Sequence, residues 1–189
     1  MGDIRIIGGN WKRTKLSVPD KPGLRPTPER VRETLFNWLG QHLQGWVVID
    51  AYAGTGALGL ESASRGAGPV ILIEADTQLH RLHQQHITRL QAHQVKAIRH
   101  DALTWLKQHP GQAHLVLLDP PFAADIFDVA LQAAAQAVHP GGWVYLESPH
   151  AWNADQGIRY DLELYRYLKA GAVHAHLWRK SCSSSAPPH

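Results

Sequence analysis

From Trp46 onward, short apolar runs alternate with longer stretches in which apolar residues recur every three or four positions. The runs are typical of buried strands, and the recurring spacing is typical of amphipathic helices. The predicted strands are residues 46–51, 70–74, 95–99, 115–119 and 143–147. The predicted helices between them are residues 57–65, 78–92, 102–108 and 126–138. Alternating β and α units of this length predict an α/β fold, a doubly wound parallel sheet with helices on both faces.

The end of the chain departs from this alternation. Residues 162–169 and 173–179, joined by Ala170-Gly171, predict an antiparallel pair that closes one edge of the sheet and brings it to seven strands. We assign residues 27–180 to this domain. The Ser/Pro-rich residues 181–189 are expected to be a disordered tail, because they offer little apolar surface to bury.

The first part of the chain predicts a small extension before the domain. Residues 4–9 and 15–18 have the composition of a β-hairpin, and residues 19–26 are a Pro/Gly-rich loop, so we assign residues 1–26 to the extension. Thr27 and Pro28 are typical of an N-cap and a first helical position, which predicts an amphipathic helix from about residue 28 to residue 44.

Composition narrows the class of protein. The chain has 189 residues, of which 44% are hydrophobic and 19% are charged, as in one globular domain. No apolar run approaches the roughly 18 residues that a membrane span requires, and the N-terminus lacks the layout of a secretory signal. The single cysteine, Cys182, excludes an intramolecular disulfide and a multi-cysteine zinc site. We expect a soluble, cytosolic protein that acts as a monomer.

Positive charge is concentrated at the N-terminus. Residues 1–32 contain eight basic and three acidic residues, a balance of +5, whereas the whole chain carries +3 and the remainder is therefore slightly negative. Clustered Lys and Arg beside a near-neutral body favour a polyanionic partner that docks on one part of the protein. A merely solvated surface is the alternative interpretation.

The first strand of the sheet leads into a glycine motif. Gly54, Gly56 and Gly59 match G-x-G-x-x-G, where glycines permit a tight turn and close approach of a ligand to the backbone. Glu74 ends the second strand, where a carboxylate can accept hydrogen bonds from ribose hydroxyls, and Asp76 could assist. These residues indicate a nucleoside-containing cofactor and leave a dinucleotide and S-adenosylmethionine as alternatives.

Two further carboxylates bear on that choice. Asp50 lies four positions before Gly54, where it would repel a pyrophosphate but suit a cationic amino-acid group, which favours S-adenosylmethionine. Asp101 follows the third strand and is either a hydrogen-bond acceptor for adenine, an N-cap, or both. The candidate cofactor contacts are Asp50, Tyr52, Ala53, Gly54, Thr55, Gly56, Leu58, Glu74, Ala75, Asp101 and Ala102.

The fourth strand ends in Asp119-Pro120-Pro121-Phe122, the most specific local motif in the chain. The prolines fix the backbone and remove N–H donors, so the Asp119 carboxylate and the Pro120 carbonyl can together hold an amino group. Phe122 offers a flat face on which an extruded base can stack. We expect these four residues to be catalytic, and the alternative is an ordinary turn after a buried strand.

With these residues, the chain resembles the ribosomal small subunit methyltransferase D family, which are bacterial 16S rRNA guanine-N2 methyltransferases of the class I S-adenosylmethionine-dependent superfamily. The similarity covers nearly the whole chain. The matching segments are Arg5-Ile6-Ile7-Gly8-Gly9 with Trp11, Pro19-Asp20 with residues 22–27, residues 30–39, Ala53-Gly54 with residues 56–61, and Asp119-Pro120-Pro121-Phe122. The N-terminal segments discriminate the family, whereas the glycine motif indicates only the superfamily. Tyr52, Thr55 and His86 depart from the residues common in the family.

The resemblance implies a Rossmann-like seven-stranded sheet and methylation of the exocyclic N2 of one guanine, with the 30S particle as substrate and S-adenosylmethionine as methyl donor. It also implies that the N-terminal extension engages RNA. The candidate RNA contacts are Arg5, Trp11, Lys12, Arg13, Lys15, Arg25, Thr27, Arg30 and Arg32.

Several alternatives remain at this point. An NAD-dependent oxidoreductase would share the glycine motif but leaves Asp119 and its prolines unexplained, and a ribosome-assembly factor would need no amine-binding motif. Methyltransferases acting on adenine N6 or on a protein glutamine are closer rivals. His80, His83 and His86 lack acidic or cysteine partners at metal-site spacing, so we expect an exposed helix face and no metal.

Overall fold

The computed structural model describes residues 2–122 and 125–182, and it has a two-stranded sheet beside a seven-stranded one. The strands are β1 (Gly2–Arg5), β2 (Lys15–Val18), β3 (Val48–Asp50), β4 (Val70–Ile73), β5 (Val95–Ile98), β6 (Ala113–Leu118), β7 (Val138–Ser148), β8 (Leu162–Ala170) and β9 (Val173–Lys180). The helices are α1 (Glu29–Leu39), α2 (Ala57–Ser64), α3 (Thr77–Leu90), α4 (Ala102–Gln108), α5 (Phe127–Ala137) and α6 (Ala154–Ile158).

The large sheet has the order β5-β4-β3-β6-β7-β9-β8. The five strands β3 to β7 pair with one another in parallel. Strand β9 is antiparallel to both of its neighbours, β7 and β8. The predicted α/β class, the seven strands and the antiparallel edge pair are therefore confirmed. Because the strand order reverses between β3 and β6, the crevice beyond their carboxyl ends is where a ligand is expected.

Alternating residues of the central strands face two separate cores. Val48, Leu115 and Leu117 pack in the core that also contains α1, α2 and the hairpin, whereas Ile49 and Val116 pack in the core that contains α4 and α5. This follows from the two-residue period of a strand that is buried on both faces. The sheet is thus a rigid platform whose strand ends are held in place from both sides.

The predicted hairpin is present, and Ile4 lies opposite Leu16 in it. Its first strand was predicted at residues 4–9 but spans Gly2–Arg5, so the prediction is wrong about where this strand begins and ends. The predicted helix 28–44 is wrong at its end, because α1 stops at Leu39. Gly40 has a φ of 90°, a conformation that favours glycine and breaks the helix. Helix α6 was not predicted from the sequence. In the predicted tail, residues 183–189 lie outside the described part of the chain.

Candidate active site

A cavity of about 770 Å³ lies at the carboxyl ends of β3, β4, β6 and β7. This size is within the range of small-molecule sites, roughly 300–1,000 Å³. Every predicted cofactor contact except Gly56 lines it, and so do the four predicted catalytic residues. The segment 21–28, from Lys21 to Pro28, lines it from the N-terminal side. The cavity therefore brings together groups that lie far apart in the sequence.

The glycine motif joins β3 to α2 and has a different requirement at each glycine. Gly54 and Gly56 have φ values of 52° and 78°, which favour glycine. Gly59 is needed for close packing, because an added Cβ would lie 2.2 Å from Leu72 Cδ2. Its backbone N–H donates to Asp50 Oδ2 at 2.9 Å. Gly56 shapes the turn before α2 without lining the cavity.

Asp50, the last residue of β3, is buried, with 1% of its surface exposed. Burial raises the pKa of Asp50 to about 7, and the nearby carboxylates of Glu74 and Glu147 raise it further, while the bond from Gly59 lowers it. A cation bound in the cavity would favour its ionised form.

Glu74 holds the backbone around it. Its Oε2 accepts from the Gly54 N–H at 3.0 Å, and its Oε1 accepts from the Asp76 N–H at 2.9 Å. A carboxylate has about four acceptor sites, so both oxygens keep capacity for hydroxyl donors from a ligand. Asp76 forms an ion pair with Lys21 of the segment 21–28 and caps α3.

Tyr52 and Asp101 follow different strands but line the same cavity. The Tyr52 hydroxyl is buried and has no hydrogen-bond partner among the described residues. Asp101 caps α4 by accepting from the Thr104 N–H at 2.8 Å, and hydrogen bonds from Thr104 lower its pKa. Asp101 is therefore an N-cap that also borders the cavity.

Asp119 follows β6 and is half-buried in the cavity wall. Its Oδ2 lies 3.5 Å from the Thr27 hydroxyl. Burial, and then the charge of Glu147 and Asp50, hold the pKa of Asp119 well above its ordinary value. The Phe122 ring is 37% exposed and makes an edge contact with Phe127 at 6.2 Å between ring centroids. An acceptor and an accessible aromatic face thus border one space.

Glu147 is a cavity residue that sequence reasoning missed. It is 2% exposed and accepts from the Tyr145 hydroxyl at 2.9 Å. The predicted fifth strand already ended at Glu147. The rule that selected Asp50, Glu74 and Asp119 at strand ends would have selected Glu147 as well.

Three of the predicted RNA contacts lie elsewhere than expected. Thr27 is buried beside Asp119, and Arg25 lines the cavity while remaining exposed. Arg32 is wrong as an RNA contact because only 1% of its surface is exposed. Its guanidinium donates to the Arg5 carbonyl at 2.9 Å and lies 3.5 Å from Glu61.

The other basic residues among the predicted RNA contacts, in the hairpin and at the start of α1, present their charge outward. Trp11 is half-buried and packs against the core of α1 and α2, with its backbone N–H bonded to Ser64. The exposed basic side chains are Arg5, Lys12, Arg13, Lys15 and Arg30. Lys15 is also 3.3 Å from Asp3. The hairpin therefore carries a basic surface, although Arg32 does not belong to it.

The expectation of an exposed histidine face on α3 is wrong. His83 and His86 are buried, and the His83 Nε2 donates to the Gly54 carbonyl at 2.8 Å. Among the described residues, no group of three or more His, Cys, Asp or Glu side chains is arranged to hold a metal ion. No helix in the described ranges is long and apolar enough to cross a membrane.

Comparison with known proteins identifies the family of the chain. Residues 4–179 match the family described as Conserved hypothetical protein 95. The chain is 36% identical to Ribosomal RNA small subunit methyltransferase D of Escherichia coli K12, over 98% of this chain and 94% of the relative. It is also 36% identical to the protein of that name from Haemophilus influenzae, over 78% of this chain and 79% of the relative.

A solved Escherichia coli structure assigned as a methyltransferase, yhhF, superposes with a TM-score of 0.82 at 32% identity and covers 96% of this chain and 100% of that one. Both the long alignment and the superposition span the hairpin and the whole seven-stranded domain. The chain therefore belongs to the Conserved hypothetical protein 95 family, together with the ribosomal RNA small subunit methyltransferase D proteins.

Proposed function

We propose that this chain transfers a methyl group from S-adenosylmethionine to the exocyclic N2 of one guanine in small-subunit ribosomal RNA, within the assembled 30S particle. The observation that carries the proposal is the position of Asp119-Pro120-Pro121-Phe122, in one cavity with the glycine motif and its neighbouring carboxylates. Membership of a family whose named relatives methylate small-subunit rRNA supports the substrate class.

The residues of the cavity fit this cofactor. The buried Tyr52 hydroxyl needs a hydrogen-bond partner, Glu74 can accept from ribose hydroxyls, and Asp50 suits the cationic amino-acid group. When bound, the cofactor supplies an electrophilic methyl group on a sulfonium. The protein needs mainly to position the amine, because that methyl group is already activated.

Asp119 and the Pro120 carbonyl would accept the hydrogens of the guanine 2-amino group. The lone pair of that amine is delocalised into the ring, which makes the nitrogen a poor nucleophile. Hydrogen bonds to both amine hydrogens would orient the lone pair toward the methyl group. Phe122, accessible at the cavity mouth, would stack on the base once the base leaves its helix. We propose that the Asp119 carboxylate would also accept the proton that the amine loses as N2 bonds to the methyl carbon and the methyl–sulfur bond breaks, so no covalent enzyme intermediate is required.

The RNA would be held by the exposed basic residues of the hairpin and by Arg30, with Arg25 at the cavity wall. Phosphate contacts of this kind position a substrate without reading its bases. We propose that the protein acts as a monomer in the cytoplasm, where small subunits are assembled. In this proposal residues 1–26 are the RNA-engaging extension and residues 27–180 the catalytic domain.

The decisive experiment measures transfer from labelled S-adenosylmethionine to 30S particles that lack the modification, with naked 16S rRNA in parallel, followed by nucleoside analysis. We expect N2-methylguanosine, formed mainly in the particles. Label in adenine or in protein would instead favour the rival amine methyltransferases.

Replacing Asp119 with alanine removes the side-chain acceptor for the amine. We expect Asp119→Ala to abolish turnover while leaving cofactor affinity nearly unchanged, as measured by calorimetric titration. Asp155→Ala on α6, an exposed carboxylate away from the cavity, is the matched control and should retain both. Retained turnover in Asp119→Ala would contradict the assignment.

A further inference from the structure

Glu147 lies beside Asp119 at the same edge of the sheet. Leu118 of β6 and Leu146 of β7 are register partners in a parallel pair. The next residues, Asp119 just after β6 and Glu147 near the end of β7, therefore lie side by side. Both line the cavity that also contains Phe122. Any base whose amino group reaches Asp119 therefore also meets Glu147.

The two carboxyls keep unused acceptor capacity. The Tyr145 hydroxyl donates to Glu147 Oε1 at 2.9 Å, and the Thr27 hydroxyl, which lies next to both carboxyls, is 3.5 Å from Asp119 Oδ2. Each ionised carboxylate has about four acceptor sites, so these two hydroxyls satisfy only a small part of the pair. A ligand that fits this pair brings several hydrogen-bond donors.

The charge of the pair favours the same kind of ligand. Burial raises the pKa of Glu147, and burial together with the charge of Glu147 holds the pKa of Asp119 well above its ordinary value. Buried carboxylates are stabilised by N–H donors, which compensate for the water they have lost. Neutral N–H groups from a base would therefore stabilise the ionised pair.

The edge of guanine has such a set of donors, because its N1–H lies directly beside its 2-amino group. Adenine has an amino group next to an unprotonated N1, which would face a carboxylate with its lone pair. We propose that Glu147 is a specificity residue that accepts the N1–H of the target guanine while Asp119 holds the 2-amino group. This inference rests on the function proposed above and adds to it the means by which guanine is selected.

The test uses 30S particles reconstituted with 16S rRNA in which the target guanosine is either retained or replaced by 2-aminopurine riboside. 2-Aminopurine keeps the 2-amino group but has a lone pair at N1. We expect wild-type kcat/KM to favour guanine. In Glu147→Gln, whose amide can donate to N1, that preference should fall by at least about tenfold, the order expected for a hydrogen bond to a charged group.

Glu163→Gln, an exposed glutamate on β8, is the matched control and should keep the wild-type preference. Cofactor affinity and the thermal unfolding midpoint are measured for each variant. If Glu147→Gln does not fold, Glu147→Asp is used instead, because its shorter side chain keeps the charge but moves the carboxylate away from the base. This variant should lose more activity on guanine than on 2-aminopurine.

The outcomes separate the two proposals. If wild-type protein methylates guanine N2 but the folded Glu147 variants keep its preference for guanine over 2-aminopurine, the specificity role is wrong and the proposed function stands. If wild-type protein transfers no methyl group to the target guanine of particles that retain it, the proposed function fails and the role of Glu147 fails with it.

Discussion

Asp50, Asp76 and Asp101 carry the same carboxyl group but meet different surroundings. Asp76 and Asp101 are hydrogen-bonded near the surface, by Lys21 and Thr104 respectively, and their pKa values are lowered. Asp50 is enclosed by the sheet and the glycine motif, and burial raises its pKa to about 7. At the scale of single residues, desolvation therefore decides which of these carboxyls can change its charge near neutral pH.

The raised pKa of Asp50 predicts a pH-dependent cofactor affinity. Below its pKa of about 7 the free protein holds Asp50 mainly protonated, so its carboxyl is as neutral as an asparagine amide. Above that pKa the carboxylate can attract the cationic group of the cofactor. We expect Asp50→Asn to bind S-adenosylmethionine almost as well as wild type at low pH and progressively worse as pH rises.

Calorimetric titration from about pH 5.5 to about pH 8.5 measures the ratio of the two affinities. Taking the ratio removes the titration of the cofactor itself, which is common to both proteins. Asparagine keeps an oxygen that can accept from the Gly59 N–H, so the glycine motif should keep its shape. A ratio that does not change with pH would contradict a charge contact from Asp50.

At the scale of elements, the glycine motif is held from two sides. Glu74, at the end of β4, accepts from the Gly54 N–H at 3.0 Å, and His83 of α3 donates to the Gly54 carbonyl at 2.8 Å. A carbonyl oxygen only accepts, so the His83 Nε2 carries the hydrogen. Burial lowers the pKa of His83 to about 4, which keeps the ring neutral. Helix α3 therefore helps to fix the conformation of the glycine motif.

Replacing His83 with phenylalanine should remove this bond while keeping the ring volume. We expect S-adenosylmethionine affinity to fall roughly two- to tenfold, the range for a neutral hydrogen bond of about 0.5–1.5 kcal/mol. His83→Gln, which retains an N–H donor, should recover part of the loss. His80→Phe on the same helix, whose ring lies 3.4 Å from the Ala97 carbonyl, is the control.

His83→Phe should also change how the free energy of unfolding depends on pH. His83 has a pKa of about 4 in the folded protein against 6.5 for an unperturbed imidazole, so the unfolded chain binds its proton first as pH falls. Wild-type stability contributed by this ring is present above pH 6.5 and is lost toward pH 4. Denaturant unfolding of His83→Phe should show a smaller loss over this range, and equal losses would contradict the buried neutral ring.

A buried ion network joins the hairpin to the domain. Glu61 of α2 is fully buried, accepts from the Ile7 and Gly8 N–H groups at 2.8 Å each, and lies between the guanidinium groups of Arg32 and Arg65. Removing one member would leave an uncompensated buried charge. Arg32 therefore connects α1 to α2 and to the hairpin, although the residues around it in the sequence are those of a basic surface.

At the scale of the whole molecule, the cavity at the strand ends lies between two regions of opposite character. The sheet ends provide carboxyls, and the N-terminal extension provides exposed basic side chains together with the segment 21–28 that borders the cavity. Such a division suits a polyanionic substrate that docks on the extension while one base reaches the acidic site.

This division predicts a salt-dependent role for the hairpin. Reversing Arg5 and Lys12 to glutamate should weaken binding to 30S particles and reduce the slope of log affinity against log salt by about one for each lost phosphate contact. Lys96→Glu with Lys169→Glu changes the same charge on β5 and β8, the two edge strands, and is the control. Filter binding over a salt series measures both, and an unchanged slope would remove the hairpin from the interface.

Local patterns account for much of the architecture. The alternation of strands and helices, the hairpin, the glycine motif and the Asp119 segment all depend on neighbouring residues, so each was predictable from spacing alone. Helix α1 was predicted too long because Leu43, which is buried, continued the apolar spacing beyond Gly40. Apolar spacing indicates which residues are buried, but it does not show whether a buried residue belongs to a helix or to a loop.

The sequence by itself determined the fold class, the place of the cavity at the strand ends and the presence of Asp119-Pro120-Pro121-Phe122 in its wall, because these follow from short-range periodicity and backbone chemistry. The tertiary structure alone decided that Arg32 is buried, that Thr27 lies at Asp119, and that His83 holds Gly54. These contacts join residues that lie far apart along the chain, or depend on which neighbours enclose them. Hydrophobic spacing carries no information about such partners, and packing supplies it.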